Sequence, residues 1–216
     1  DNIRQAARDG AGIAVIAPPA LPPRDGNADA LLALYLGAIR RSPLPIGIYD
    51  RRMAGGGFMP EAVLRAVLAE PRVALLKDSS ADPARQRLAL AAKRRRPALQ
   101  LLNGWEFDCV FYLKAGYGGL LLGGGVFNGF MAARLAEAAE AADWALAERI
   151  QAQMNRLMWA VYGGRKIACW LSGEKHLLVR LGVFSTWKNY PAYPLTPACR
   201  RAIDRALVRE RAWLLP

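Results

Sequence analysis

The sequence predicts an α/β protein of repeated βα units, the pattern of a parallel (β/α)8 TIM barrel, followed by a C-terminal helical extension. Two observations carry this. Short runs that are apolar throughout, rather than alternating, recur from the first residues onward, and each is followed by a helical pattern; strands covered on both faces of a parallel sheet need such runs. Five of these repeats are legible, after which the chain turns all-helical. Five units are too few to close an eight-stranded barrel. Residue 1 also falls inside a helical pattern, "DNIRQAARDGAG", with no strand before it. The expectation is therefore a barrel lacking its first three βα units, with an open sheet as the alternative.

The first unit pairs "GIAVIAP" (Gly12 to Pro18) with the helical "DALLALYLGAIRR" (Asp29 to Arg41), and the second pairs "LPIGIYD" (Leu44 to Asp50) with "PEAVLRAVLAE" (Pro60 to Glu70). The third joins "RVALLK" (Arg72 to Lys77) to "DPARQRLALAAKRR" (Asp82 to Arg95). Here Asp82 reads as an N-cap with proline in the first helical position, a device that Thr196 and Pro197 repeat. "ALQLLNG" (Ala98 to Gly104) with "EFDCVFYLKAG", then "GGLLLGG" (Gly118 to Gly124) with a helix from about Gly129, complete the series. Residues 1–135 are thus expected to hold barrel strands four to eight with their helices, and residues 136–216 the helical region. Between Lys114 and Arg134 lie nineteen uncharged residues, long enough for a membrane span, but seven are glycine. A strand, a loop and a helix start are the better reading.

Composition narrows the function classes. About 53% of the residues are apolar and 22% charged, as in ordinary globular proteins, while the net charge of +12 eases binding of anions without naming one. The basic residues are dispersed, and bursts such as Lys93 to Arg96 fit the solvated end of an amphipathic helix better than a nucleic-acid patch. Cys109, Cys169, Cys199 and the single histidine, His176, form no metal-ligand spacing and no disulfide pattern. No metal, no nucleic-acid partner, no membrane span and no signal peptide are expected, and a cytoplasmic setting follows.

The chemistry centres on Lys77. A lysine that ends an apolar strand either snorkels to solvent or serves the active-site mouth, where barrels present the C-terminal ends of their strands. An apolar surround lowers a lysine's pKa, and the neutral amine can attack a ketone to form a Schiff base. Tyr49 favours the second reading. It ends the preceding strand twenty-eight residues earlier, one complete βα unit, so adjacent parallel strands would set its phenol beside Lys77 as a proton relay.

Tyr49 in "IYD", Lys77 in "LLKDSS", the "LLNGWE" segment and the C-terminal "PLTP" resemble the dihydrodipicolinate synthase and N-acetylneuraminate lyase superfamily of Schiff-base (β/α)8 barrels. The resemblance runs over essentially the whole chain, with residue 1 after the family's third strand. It implies that Lys77 forms the imine and that Tyr49 relays the proton and can touch the substrate carboxylate. It further implies that the Gly104 carbonyl and Glu106 hold substrate hydroxyls, and that the main-chain carbonyl of Leu121 turns toward the imine. No cofactor is implied, and a homotetramer built from dimers, or a homodimer, is expected.

The chain also departs from the family. "APPALPP" stands where the lysine-pathway enzymes carry tyrosines, Ala54 matches a family arginine, and Leu122 stands where sialic-acid lyases use a serine. The resemblance thus points away from dihydrodipicolinate synthesis and sialic-acid cleavage. Arg51 and Arg52 offer another anion contact, or are surface arginines of a loop. "GGGVFNG" (Gly123 to Gly129) either holds phosphate at a helix start or permits a tight turn, the turn being preferred. The expected function is a class I lyase, aldolase or dehydratase, acting on pyruvate or a longer 2-oxo acid. The alternatives are a catalytically inactive barrel serving as a binding or regulatory module, and a basic nucleic-acid-binding protein.

Overall fold

The computed structural model describes residues 1–18, 27–53 and 56–214. Most of the "APPALPP" segment, and Ala54, lie outside the described residues. The chain packs as two compact units, Asp1–Trp105 with Ala115–Leu121, and Glu106–Lys114 with Leu122–Pro216. This division differs from the expected boundary after residue 135, because the last βα helix clusters with the C-terminal helices.

The first unit contains five parallel strands: β1 (Ala14–Ile16), β2 (Ile46–Asp50), β3 (Val73–Asp78), β4 (Gln100–Asn103) and β5 (Gly119–Leu120). They are hydrogen-bonded in chain order, β1-β2-β3-β4-β5. Right-handed crossovers between successive neighbours put the helices that connect β1 to β4 on one face. A doubly wound sheet would instead reverse its order at a switch point, so this sheet is wound as a barrel is. Helices α2 (Ala28–Arg41), α3 (Glu61–Ala69) and α4 (Pro83–Arg95) follow β1, β2 and β3, and α1 (Asn2–Arg8) precedes them. Ile46, Ile48, Val73, Leu76 and Leu101 are buried with Tyr35, Ile39, Leu64, Val67, Leu88 and Ala89 of the helices.

The caps explain where these helices start. Asn27 accepts from the N–H groups of Asp29 and Ala30, and Asp82 from Ala84, with Pro83 in the first turn. Near the end of the chain Thr196 Oγ1 accepts from Cys199 N at 3.1 Å, as its sequence context predicts. Each cap satisfies N–H groups that the helix itself leaves unpaired.

An irregularity in β3 decides what the other face presents. Ile46 pairs with Val73, but Gly47 pairs with Leu75, so β3 carries one extra residue at Ala74. A bulge re-aims the side chains beyond it. Gly47 consequently lies between Val15 and Leu75, and a methyl there would fall 3.0 Å and 3.2 Å from their side chains. Tyr49 and Lys77 form the register pair two residues further along the same strands, after Ile48 and Leu76.

The second unit is helical: a 3₁₀ turn (Glu106–Asp108), α5 (Cys109–Lys114), α6 (Gly125–Glu140), α7 (Trp144–Tyr162), α8 (Trp170–Arg180) and α9 (Pro197–Leu214). α7 is its hub, touching α5, α6, α8 and α9. Met131, Leu135, Met154, Leu157, Met158, Val161, Leu177 and Ile203 form its core. α6 starts at Gly125, earlier than the expected Gly129. Much of the glycine-rich uncharged stretch is therefore helix, and no helix among the described residues is long and apolar enough to cross a membrane.

Candidate active site

At the C-terminal ends of the strands the ladder continues past the last paired residues. Ser79 donates its N–H to Asp50 O at 2.9 Å, Gly104 to Asp78 O at 2.7 Å and Leu121 to Asn103 O at 2.8 Å. These bonds fix the backbone around Lys77 more tightly than a free loop would. Leu121, one residue beyond β5, is held by its own N–H, and its side chain is exposed.

Lys77 and Tyr49 are direct register partners, and the Lys77 ammonium lies over the Tyr49 ring, 4.2 Å from its centroid. Both side chains are half-buried. Gly104 closes on the lysine from β4: a Cβ at that position would lie 2.1 Å from Ser79 Oγ, 2.8 Å from Lys77 Cε and 3.2 Å from Lys77 Cγ. Glycine is the residue that lets the Lys77 side chain occupy this place, a packing role that the sequence did not reveal.

The two arginines differ. The Arg51 guanidinium lies 5.7 Å from the Tyr49 ring centroid, whereas Arg52 lies 5.1 Å from that of Phe58. Arg51 is the one that accompanies the Tyr49–Lys77 pair. Arg85 occupies Phe58 as well, also at 5.1 Å.

Each member of the pair is followed by a buried carboxylate, because strand alternation turns the next residue to the helix-covered face. Asp50 receives a bidentate guanidinium from Arg85 of α4, Nε to Oδ2 at 2.6 Å and Nη2 to Oδ1 at 2.7 Å. Arg85 also donates to Met59 O at 2.8 Å. Burial pushes the Asp50 carboxyl up, and the Arg85 guanidinium opposes that shift. Asp78 accepts from Tyr117 Oη at 2.7 Å and from Ser80 N at 2.9 Å. Behind the pair, then, stands a polar layer that locks both strand ends. Sequence reasoning missed it, although two strands ending in aspartate and an arginine on the apolar side of α4 were its signal.

Glu106 belongs to the second unit. Its Oε1 accepts from Tyr162 Oη at 2.6 Å and its Oε2 from Gly124 N at 2.5 Å. A carboxylate has about four acceptor positions, so these two protein donors leave acceptor capacity to spare. Gln151 and Asn155, one turn apart on α7, hold this segment by donating to Glu106 O and Phe107 O at 3.0 Å each. Glu106 also takes the anion position at the start of α6, where the sequence had offered a phosphate site as an alternative. Among the described residues, no group of three or more His, Cys, Asp or Glu could hold a metal ion.

Neither a protein-family model nor a curated protein matches the sequence. Solved structures do. The chain is similar to the dihydrodipicolinate synthase of Bacteroides thetaiotaomicron, with a TM-score of 0.82 and 24% identity over 96% of this chain and 70% of that one. The enzyme from Thermotoga maritima gives 0.79 and 16% identity over 97% and 70%. Chloride-inhibited dihydrodipicolinate synthase from Acinetobacter baumannii, complexed with pyruvate, gives 0.77 and 19% over 95% and 69%. The likeness establishes the fold: a parallel α/β chain of the dihydrodipicolinate synthase type, matching about 70% of the length of those barrels.

Proposed function

We propose that this chain is a divergent member of the dihydrodipicolinate synthase and N-acetylneuraminate lyase superfamily. Its activity is that of a class I lyase on pyruvate or a longer 2-oxo acid. The observation that carries the proposal is the Tyr49–Lys77 register pair at the ends of neighbouring parallel strands, with Gly104 shaped around the lysine stem.

In this reading the neutral Lys77 amine adds to the substrate ketone and the carbinolamine loses water to give an imine. Tyr49 carries the protons that the addition releases and the dehydration consumes. The protonated imine then accepts the electron pair from a breaking bond at the neighbouring carbon, so no metal or organic cofactor is needed. Arg51 is the preferred carboxylate contact, since it stands with Tyr49 while Arg52 packs on Phe58. By resemblance, the Gly104 and Leu121 carbonyls and Glu106 serve the substrate and the imine. A homotetramer or homodimer in the cytoplasm fits this reading.

Borohydride trapping tests the proposal. The full-length protein is incubated with pyruvate and a panel of 2-oxo sugar acids, reduced, and mapped by peptide mass. The expected result is an adduct on Lys77 that Lys77→Arg abolishes. A folded protein that gives no adduct with any of them refutes the lyase and leaves the binding-module reading.

A further inference from the structure

Half of the chain's net charge sits in one stretch of the second unit. Between Arg165 and Ile203 there are seven cations and one acid, a net +6 of the +12 carried by all 216 residues. That acid, Glu174, is buried. The same stretch holds five aromatic residues, of which Trp170, Phe184 and Tyr190 are exposed, Tyr190 to 97%.

Along the sequence these groups are dispersed, but packing gathers them. The connection between α8 and α9, residues 181–196, is strapped to α8. Lys175 donates to Lys188 O, Asn189 Nδ2 to Ser172 Oγ at 2.7 Å, and Ser172 Oγ in turn to Tyr193 O at 2.5 Å. Trp170 meets the Tyr193 ring edge to face, with centroids 5.5 Å apart. Two cations lie over rings of the strap: Lys175 over Phe184 at 5.6 Å, and Arg200 of α9 over Trp187 at 5.4 Å. Lys188 is exposed beside them. Among the described residues no carboxylate pairs with Lys175, Lys188 or Arg200, and Asp204, the acid that follows Arg200 in sequence, is taken by Arg180.

Cations held together without acids repel one another until an anion covers them. Cations interleaved with exposed rings suit a polyanion that also presents flat aromatic faces. Every nucleotide brings both, a phosphate and a base, and each cation–ring pair offers a partner for each. A single strand fits better than a duplex, whose bases are already stacked on one another. An anionic bilayer calls instead for a contiguous apolar face, and here Ser185, Thr186, Lys188 and Asn189 interrupt the rings.

We propose that this surface of the second unit binds single-stranded nucleic acid, with Lys175, Lys188 and Arg200 on phosphates and Phe184, Trp187 and Tyr190 stacking on bases. The inference stands apart from the lyase reading, since none of these residues serves Lys77.

Fluorescence anisotropy of the whole protein with labelled oligothymidylate and oligouridylate of about 16 nucleotides tests it. The expected result is saturable binding that weakens with salt, with a log–log slope of about −2 for three phosphates at roughly 0.7 each. Lys188→Glu with Arg200→Glu should weaken binding about 100-fold. Tyr190→Ala removes an exposed ring and no charge, and should weaken it about tenfold. Arg87→Glu with Arg94→Glu makes the same change in net charge at exposed positions of α4, and should bind as the wild type does. A folded protein without salt-sensitive binding overturns the inference. An equal loss in the α4 variant does so too, because net charge alone would then explain the binding. Unchanged affinity in Tyr190→Ala, or a duplex that competes as well as the single strand, refutes stacking and with it the proposal. Co-sedimentation with phosphatidylserine vesicles by a protein that ignores both oligonucleotides would assign the surface to a membrane instead.

Discussion

Gly104→Ala tests the packing on which the Lys77 reading depends. The added methyl would start 2.1 Å from Ser79 Oγ and 2.8 Å from Lys77 Cε, against ordinary contact that begins at 3.4 Å. The Ser79 hydroxyl can rotate away. Lys77 Cε must retreat by roughly 0.6 Å, and Cγ, at 3.2 Å, by less, on a backbone fixed by the Gly104 N–H bond to Asp78 O. Overpacking of this size costs about 1–3 kcal/mol where the neighbours are held. A displacement approaching 1 Å at a reacting atom can lower a rate about 100-fold. Two assays separate the effects: urea unfolding reads the strain, and the rate of borohydride-trapped imine formation reads the lysine. The expected variant is folded, modestly destabilised, and slower to form the imine by one to two orders of magnitude. An alanine variant with wild-type stability and wild-type trapping rate would show that Lys77 does not work from this position.

Two further predictions follow from the buried charges. Arg85→Met strands Asp50 without its bidentate partner and should cost roughly 3–5 kcal/mol in denaturant unfolding. Adding Asp50→Leu should recover most of that loss; two additive losses would mean that the pair is not coupled. Glu174 sets a pH dependence of stability, because its carboxyl is raised from 4.5 to about 7 in the folded protein. Between those values the unfolded chain releases a proton that the native state keeps. This contribution is complete below 4.5 and declines as pH rises through 7, by up to roughly 3 kcal/mol. Glu174→Gln should flatten that decline in a series of unfolding curves, and a mutant curve parallel to the wild type would exclude Glu174 as its source.

Strand and helix positions were legible because each rests on a local cause: apolar runs for strands buried on both faces, Asp82 and Thr196 for caps, and a one-unit spacing that brought Tyr49 to Lys77. The start of α6 was misjudged by that same local logic. Glycine at 125 and 129 reads as loop, yet a Cβ at either position would meet nothing within 4 Å, so neither glycine is required by a turn or a close approach. Arg85 was hidden differently. In "DPARQRLALAAKRR" it looks like one more solvated cation, but it shares the inward side of α4 with Leu88 and Ala89, at the spacing of three and four that marks one helix face. An arginine on that face needs a buried acid, and strands ending in "YD" and "KD" supply candidates whose alternation turns them toward the helices. The Tyr162 cluster lies beyond such reasoning. Glu106 and Tyr162 are separated by fifty-six residues, and Glu174 sits in "GEKHLL", where His176 draws attention first. What joins Glu106 to Tyr162 is the amide clamp of Gln151 and Asn155 on the 3₁₀ turn. Local spacing thus brought Tyr49 and Lys77 together, while the groups that set the strand ends emerged from tertiary contacts.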